Sequence, residues 1–199
     1  MTTTVHLVRH VPHEHQGRIH VGRMEGVRLA PRSRERLRFL TERFNGVELA
    51  AVYASPVSRA QETAHAIADP AGLEIRTRPD LNELDAGEWT GKSFDEIGLD
   101  PRARLWNDAR SLARVPGGES MLEVQFRMVR WLEEARAAHP EATVVAVSHG
   151  DPIKALVLYA LGASLDFYGR IEPEPGSTCT LEVGDWGAKL IRLNETLPE

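Results

Sequence analysis

Thr143-Val-Val-Ala-Val-Ser148-His149-Gly150 opens with five apolar or β-branched residues in succession and stops at a histidine and a glycine. A run without polar alternation reads as a strand buried on both faces, the kind found in parallel sheets covered by helices on both sides. A helix is predicted directly after it, over Asp151 to Leu161. The same pattern occurs twice more. Val5 to Val8 is a short apolar strand running into Arg9-His10, and Leu49 to Ala54 (LAAVYA) runs into Ser55-Pro56, read as an N-cap with proline in the first turn. The helix that follows carries an apolar stripe of Val57, Ala60, Ala64, Ile67 and Ala68 and is broken by Asp69-Pro70-Ala71-Gly72.

Working outward, Pro31 starts a helix with Leu37, Leu40, Thr41 and Phe44 on one face, and Asn45-Gly46 ends it. Glu74 to Thr77 is read as a third strand in chain order. Ser120 with Glu123 forms a capping box for a long helix to about His139, whose stripe is Met121, Val124, Met128, Val129 and Leu132. Thr178 to Val183 and Lys189 to Leu193 are read as final strands. Buried strands alternating with helices predict an α/β fold, a three-layer α/β/α sandwich around a mostly parallel central sheet. The chain is read as a single domain over residues 1–199. Its least regular part, about 81–115, contains a short amphipathic piece near Ala103 to Ala113 and is read as an insertion able to cover a site.

The 199 residues are 42% hydrophobic and 27% charged, which suits a packed core and excludes a disordered chain. A net charge of -5 argues against a general nucleic-acid binder or a membrane-surface binder. The charge is uneven. Nine arginines against five acids make the first fifty residues net +4, and five of the eight histidines (6, 10, 13, 15 and 20) are there too. A single cysteine, Cys179, excludes an intramolecular disulfide. No apolar run is long enough to span a bilayer, and the N-terminus lacks the pattern of a secretory signal, so the expected location is the cytoplasm.

In open α/β sheets the ligand crevice lies beyond the carboxyl ends of the strands. If the strands ending in His10 and His149 are neighbours, Arg9, His10 and His149 share that crevice. Gly150 then starts a helix whose free N–H groups favour an anion. Arg59 falls in the first turn of the helix after LAAVYA, near the same edge. Two guanidiniums, two imidazoles and a helix N-terminus converging on one point suit a phosphate dianion.

The stretches Leu7-Val-Arg9-His10, Ser55-Pro-Val-Ser-Arg59-Ala-Gln-Glu-Thr63-Ala, Leu81-Asn-Glu83-Leu-Asp-Ala-Gly87-Glu-Trp-Thr-Gly91, Pro116-Gly-Gly-Glu-Ser120 and Val147-Ser-His149-Gly150 together resemble the histidine phosphatase superfamily, the phosphoglycerate-mutase-like enzymes. The resemblance runs over nearly the whole chain. It implies in-line attack by His10 on a phosphoryl group, a phosphohistidine intermediate, phosphoryl oxygens held by Arg9, Arg59 and His149, and Glu83 as proton donor and acceptor. It implies no cofactor and no metal, a small phosphorylated metabolite as partner, and leaves a homodimer open. A carboxyl acting as an acid near neutral pH needs a raised pKa, for which Asp85 and Glu88 are the nearest acids in sequence.

The chain departs from the family pattern at Val11, where a glycine is usual after the nucleophile, and a branched side chain there is expected to narrow the site or shift the loop. Gln16 replaces an asparagine that faces the phosphate, Val21-Gly22 falls where the loop approaches substrate, and Ser33 stands where a glycine commonly begins the next helix. Hydrolysis of a phosphomonoester is the leading reading, because the insertion is short for a mutase. A phosphoglycerate mutase-type phosphomutase is the closest alternative. From other classes come a weakly active or inactive phosphate-binding module, and a transition-metal site at His10, His13, His15 and His20. Arg18, Arg23, Arg102 and Arg104 are candidate holders of a second anionic group, and Trp89 and Trp106 are read either as core or as a stacking surface.

Overall fold

The computed structural model describes residues 1–196. Its centre is the apolar run at 143–148, the strand β4 (Thr143–Ser148), flanked on one side by β1 (Thr3–Arg9) and on the other by β2 (Ala51–Ala54). With β3 (Ile75–Thr77), β5 (Thr178–Gly184) and β6 (Gly187–Glu195) the sheet order is β3-β2-β4-β1-β5-β6. The first four strands are mutually parallel, and β5 and β6 run antiparallel at one edge.

Because side chains alternate along a strand, β4 feeds two cores. Val144 and Ala146 join Val5 and Leu7 under Met128, Trp131 and Leu132 of α5 (Met121–Ala138) and Ile153, Leu156 and Val157 of α6 (Gly150–Ala160). Val145 and Val147 join Val8, Val52 and Ala54 under Leu40 and Phe44 of α1 (Ser33–Phe44) and Ala60, Ala64 and Ile67 of α2 (Ser58–Ala68). Two helical layers therefore cover one sheet, as the sequence predicts. Among the described residues no helix is long and apolar enough to cross a membrane.

The start of α2 differs from its reading. The helix begins at Ser58 after Val57, with no side-chain cap, because the Ser55 hydroxyl is engaged elsewhere. The 81–115 segment carries α3 (Phe94–Gly98), which has a Ser93/Glu96 capping box, and α4 (Pro101–Asp108). Leu84, Trp89, Ile97, Ala103, Trp106 and Val115 pack there as a third cluster on Met121, Val124, Ala155 and Leu158. This cluster lays the insertion across the amino-terminal half of α5 and against α6, and so builds one wall of a cavity.

Candidate active site

Parallel pairing sets Arg9 beside Ser148, so the residues that leave β1 and β4 emerge together at the carboxyl edge of the sheet. The rings of His10 and His149 meet with centroids 5.1 Å apart, and both side chains are buried. His10 Nδ1 lies 2.8 Å from the Val11 carbonyl. A carbonyl only accepts, so Nδ1 carries the proton and Nε2 keeps its lone pair. Arg59 Nε donates to that Nε2 at 3.2 Å. Burial first, and then the Arg59 charge, hold the His10 pKa well below its ordinary 6.5. The ring is neutral at neutral pH, with its lone pair directed to Arg59.

Arg59 is buried in the first turn of α2, and its Nη2 donates to the Gly22 carbonyl at 2.7 Å, while its buried Nη1 has no partner among the described residues. Arg9 donates from Nη1 to the Pro173 carbonyl (2.6 Å) and to Glu172 (3.2 Å), and its buried Nε has no partner among the described residues. A Cβ on Gly150 would stand 3.2 Å from the Arg9 guanidinium carbon, so the glycine at the head of α6 lets that side chain lie against the backbone.

His149 is set by a relay that the sequence reading missed. The Ser55 hydroxyl donates to Asn82 Oδ1 (2.9 Å), which leaves its oxygen to accept from His149 Nε2–H (2.9 Å) and from the Val57 amide (3.3 Å). Nδ1 of His149 is buried and has no partner among the described residues. Burial and Arg59 hold the His149 pKa well below 6.5. A dianion beside Nδ1 would oppose both effects and favour the imidazolium, whose Nδ1–H can donate to it.

Glu83 shares the cavity. Burial, with the Asp151 charge second and against the pull of Arg59, raises its pKa to about 7. The expected source, Asp85 and Glu88, is corrected: the acid that acts on it is Asp151 at the head of α6, whereas Asp85 accepts from the Gly87 amide and Glu88 pairs with Arg102. Glu83 Oε1 accepts from the Leu84 amide at 2.9 Å. Its own carbonyl accepts from Arg23 Nε (2.8 Å) and Arg127 Nη2 (3.2 Å), and both arginines also bind Glu119 of the Pro116-Gly-Gly-Glu motif. Arg23 thus holds the Glu83 loop instead of facing an anion.

The cavity measures about 450 Å³, and Gln16, Val21 and Gly22 line it as well, with Gln16 Oε1 buried and without a partner among the described residues. Arg18, Arg23, Arg102 and Arg104 do not line it; Arg110 and Lys154 do. Val11 does not narrow it either. Its side chain is fully buried in the core with Val8 and Leu40, and its amide donates to Thr63 Oγ1, so the expected obstruction is absent from the cavity wall. Ser33 is structural, its hydroxyl donating to the Pro12 carbonyl. Trp89 and Trp106 are nearly buried, pack edge to face, and contribute to the wall. Among the described residues no group of three or more His, Cys, Asp or Glu is arranged to hold a metal ion, and His20 lies against Phe94 rather than in a histidine cage.

A nucleophilic imidazole, cationic donors with unmet hydrogen-bonding capacity and a carboxyl poised near pH 7 can together transfer a phosphoryl group. Comparison with known proteins agrees with that chemistry. The family model for the histidine phosphatase superfamily (branch 1) matches residues 5–196. Phosphoserine phosphatase 1 of Hydrogenobacter thermophilus is 29% identical over 195 residues, spanning 96% of this chain and 91% of that protein. Among solved structures, Bacillus stearothermophilus YhfR superposes with a TM-score of 0.88 at 28% identity, covering 98% of both chains. The mycobacterial glucosyl-3-phosphoglycerate phosphatase Rv2419c gives 0.87 at 24% identity, covering 98% of this chain and all of that one.

Proposed function

The chain belongs to the histidine phosphatase superfamily and acts as a phosphatase, and from that premise we propose that it hydrolyses small phosphomonoesters through a phosphohistidine. His10 Nε2 attacks phosphorus in line with the ester oxygen. Arg9, Arg59 and a protonated His149 take the non-bridging oxygens, where fixed charge is worth most. Glu83 gives its proton to the leaving alkoxide as the P–O bond breaks and an N–P bond forms. Water then attacks the phosphohistidine, Glu83 takes the proton from it, and phosphate leaves with His10 restored as the neutral imidazole.

The observation that carries this reading is the arrangement around His10: three buried nitrogens, Arg9 Nε, Arg59 Nη1 and His149 Nδ1, have no partner among the described residues, and Arg9, Arg59 and Glu83 line one cavity with His10, the His149 ring packing behind the His10 ring. Buried polar atoms are seldom left unmet, and a phosphoryl group supplies the acceptors these would need. The Ser55–Asn82 relay keeps His149 Nδ1 turned to that group. The cavity volume supports a small metabolite as substrate. The single cysteine supports a reducing compartment, the cytoplasm.

The test is turnover of p-nitrophenyl phosphate in the presence of EDTA by the wild type and by His10→Ala. Wild-type hydrolysis lost in the variant supports the assignment; undiminished turnover by the variant removes it. Incubation with 2- or 3-phosphoglycerate separates hydrolysis from mutation, since isomer interconversion without phosphate release would show a phosphomutase.

A further inference from the structure

The phosphoryl end of the cavity holds a third imidazole that the proposed reaction does not use. His13 lines that cavity, is only 6% exposed, and has its ring centroid 5.6 Å from that of His10. The backbone on either side of it is pinned. The Pro12 carbonyl accepts from the Ala30 amide and from the Ser33 hydroxyl, and the Glu14 amide donates to the Arg28 carbonyl. The ring is pinned too, because its Nδ1 accepts from the His15 amide at 3.3 Å. A ring nitrogen that accepts from an amide carries no proton, so in the neutral imidazole the proton is on Nε2. That Nε2 has no hydrogen-bond partner among the described residues.

The charges around the ring decide its protonation. Arg59 from α2 and Arg9 from the end of β1 both act on it, the neutral His10 ring lies beside it, and Glu14 and His15 follow it in its own turn. Glu14, the carboxylate that would favour a proton, is turned to Arg28, accepting from its amide and lying 3.5 Å from its Nη2. Burial first, and then Arg59, lower the His13 pKa to about 4, so the ring is neutral at neutral pH. A neutral donor suits this place. A lysine or arginine would meet Arg9 and Arg59 as like charges, whereas an imidazole N–H offers a fixed hydrogen bond without adding a cation. The non-bridging oxygens of a phosphoryl group are strong acceptors, each able to take more than one such bond, so Arg9, Arg59 and His149 do not exhaust them.

We propose that His13 is a further phosphoryl-binding residue, donating from Nε2–H to a non-bridging oxygen of the substrate and of the phosphohistidine. This rests on the phosphatase reading and adds a donor to the same site. Two substitutions separate the donor from the loop bond. In His13→Asn the side-chain oxygen still accepts from the amide two residues on, but no donor reaches the cavity; in His13→Gln the amide nitrogen ends close to where Nε2 stood, and the loop bond is lost. Each variant is measured for kcat/KM on p-nitrophenyl phosphate, for the Kd of vanadate by calorimetric titration, and for Tm. His13→Asn is expected to lose roughly 10- to 100-fold in both kcat/KM and vanadate affinity, the scale of a hydrogen bond to a charged group, with a Tm close to that of the wild type. His13→Gln recovers most of that loss. Where His13→Asn melts many degrees early, His13→Leu takes its place, since it lacks the loop bond as His13→Gln does and differs from it in the donor. A donor-less variant that keeps wild-type turnover and vanadate affinity overturns the proposal. So does a His13→Gln as impaired as the donor-less variant, which would assign the ring to holding its loop. Failure of the phosphatase reading looks different, with no turnover of any substrate by the wild type; the vanadate titration then decides alone. Tighter binding by the wild type and His13→Gln than by the donor-less variant supports the donor, and equal binding by all three, or none by the wild type, overturns it.

Discussion

Glu83 is the residue whose environment does most to set the chemistry. Its carboxyl is raised from 4.5 to about 7, so between those values the folded protein holds a proton that the unfolded chain has released. Stability from this group is therefore fully present below about pH 4.5 and is lost as pH rises through 7. Glu83→Gln, which never ionises, should melt with the wild type at pH 5 and above it at pH 8; coincident melting curves at both pH values would show that the carboxyl is not shifted. The same titration governs rate. For an alkyl phosphate, kcat/KM should fall as pH rises above 7, and Glu83→Gln should lose about 10²–10⁴-fold, whereas p-nitrophenyl phosphate, whose leaving group needs no proton, should lose far less. A flat alkyl-phosphate profile from pH 6 to 9 would exclude Glu83 as the acid. Arg9, His10 and His149 are legible in sequence because a strand end fixes where the next residue goes. Ser55 and Arg110 are not. The Ser55 hydroxyl meets His149 across 94 residues of chain and had a nearer explanation as a helix cap, and Arg110 reads as one surface arginine among many until Tyr168 closes over it.

At the scale of elements, the proposed acid and the groups proposed to hold the phosphate stand on different supports. Arg9, His10, Arg59 and His149 belong to the ends of β1, α2 and β4, while Glu83 is carried by a loop locked against residues 116–119. A Cβ on Gly118 would stand 2.1 Å from the Asp85 carbonyl oxygen, a distance only a glycine permits, and Glu119 accepts from the Asp85 amide at 3.0 Å. Gly118→Ala should push the two segments apart and shift Glu83 while leaving the phosphate end in place. The expected result is a kcat on alkyl phosphates lower by roughly 10- to 100-fold, as for misplacement of a catalytic group by about 1 Å, with the Kd of vanadate nearly unchanged. A parallel loss of vanadate affinity would mean that the lock supports the whole site. Strands buried on both faces and the Ser120/Glu123 cap are visible in sequence because each is decided within a few residues. The insertion is less so: α3 has its own Ser93/Glu96 cap, a signal present in the sequence, but what fixes α3 and α4 is the packing of Ile97 and Trp106 on α5 and α6, which no local pattern encodes.

For the whole molecule, the net charge of -5 conceals a crevice where cations from distant parts of the chain meet, Arg9 paired with Glu172 but Arg59 with no carboxylate within ion-pair distance among the described residues. Arg59 is the extreme case, buried, without a carboxylate partner, its guanidinium acting on both histidines. Such a site costs stability in the free protein and returns it when an anion binds, because β1, α2, α6 and the Gly22 loop are then tied through one ligand. Vanadate at 100 times its Kd should stabilise the fold by about 2.7 kcal/mol, a rise in Tm of roughly 5–10 °C for a chain of this size. Arg59→Met should abolish the rise. Its own Tm without ligand should stay close to that of the wild type, since the lost hydrogen bonds to the Gly22 carbonyl and to His10 Nε2 are offset by removal of a buried, unpaired charge. Differential scanning calorimetry of both proteins with and without vanadate reads the two effects separately. A variant that keeps the full vanadate shift would place the anion elsewhere, and a variant that unfolds many degrees earlier would show that Arg59 supports the fold more than it burdens it.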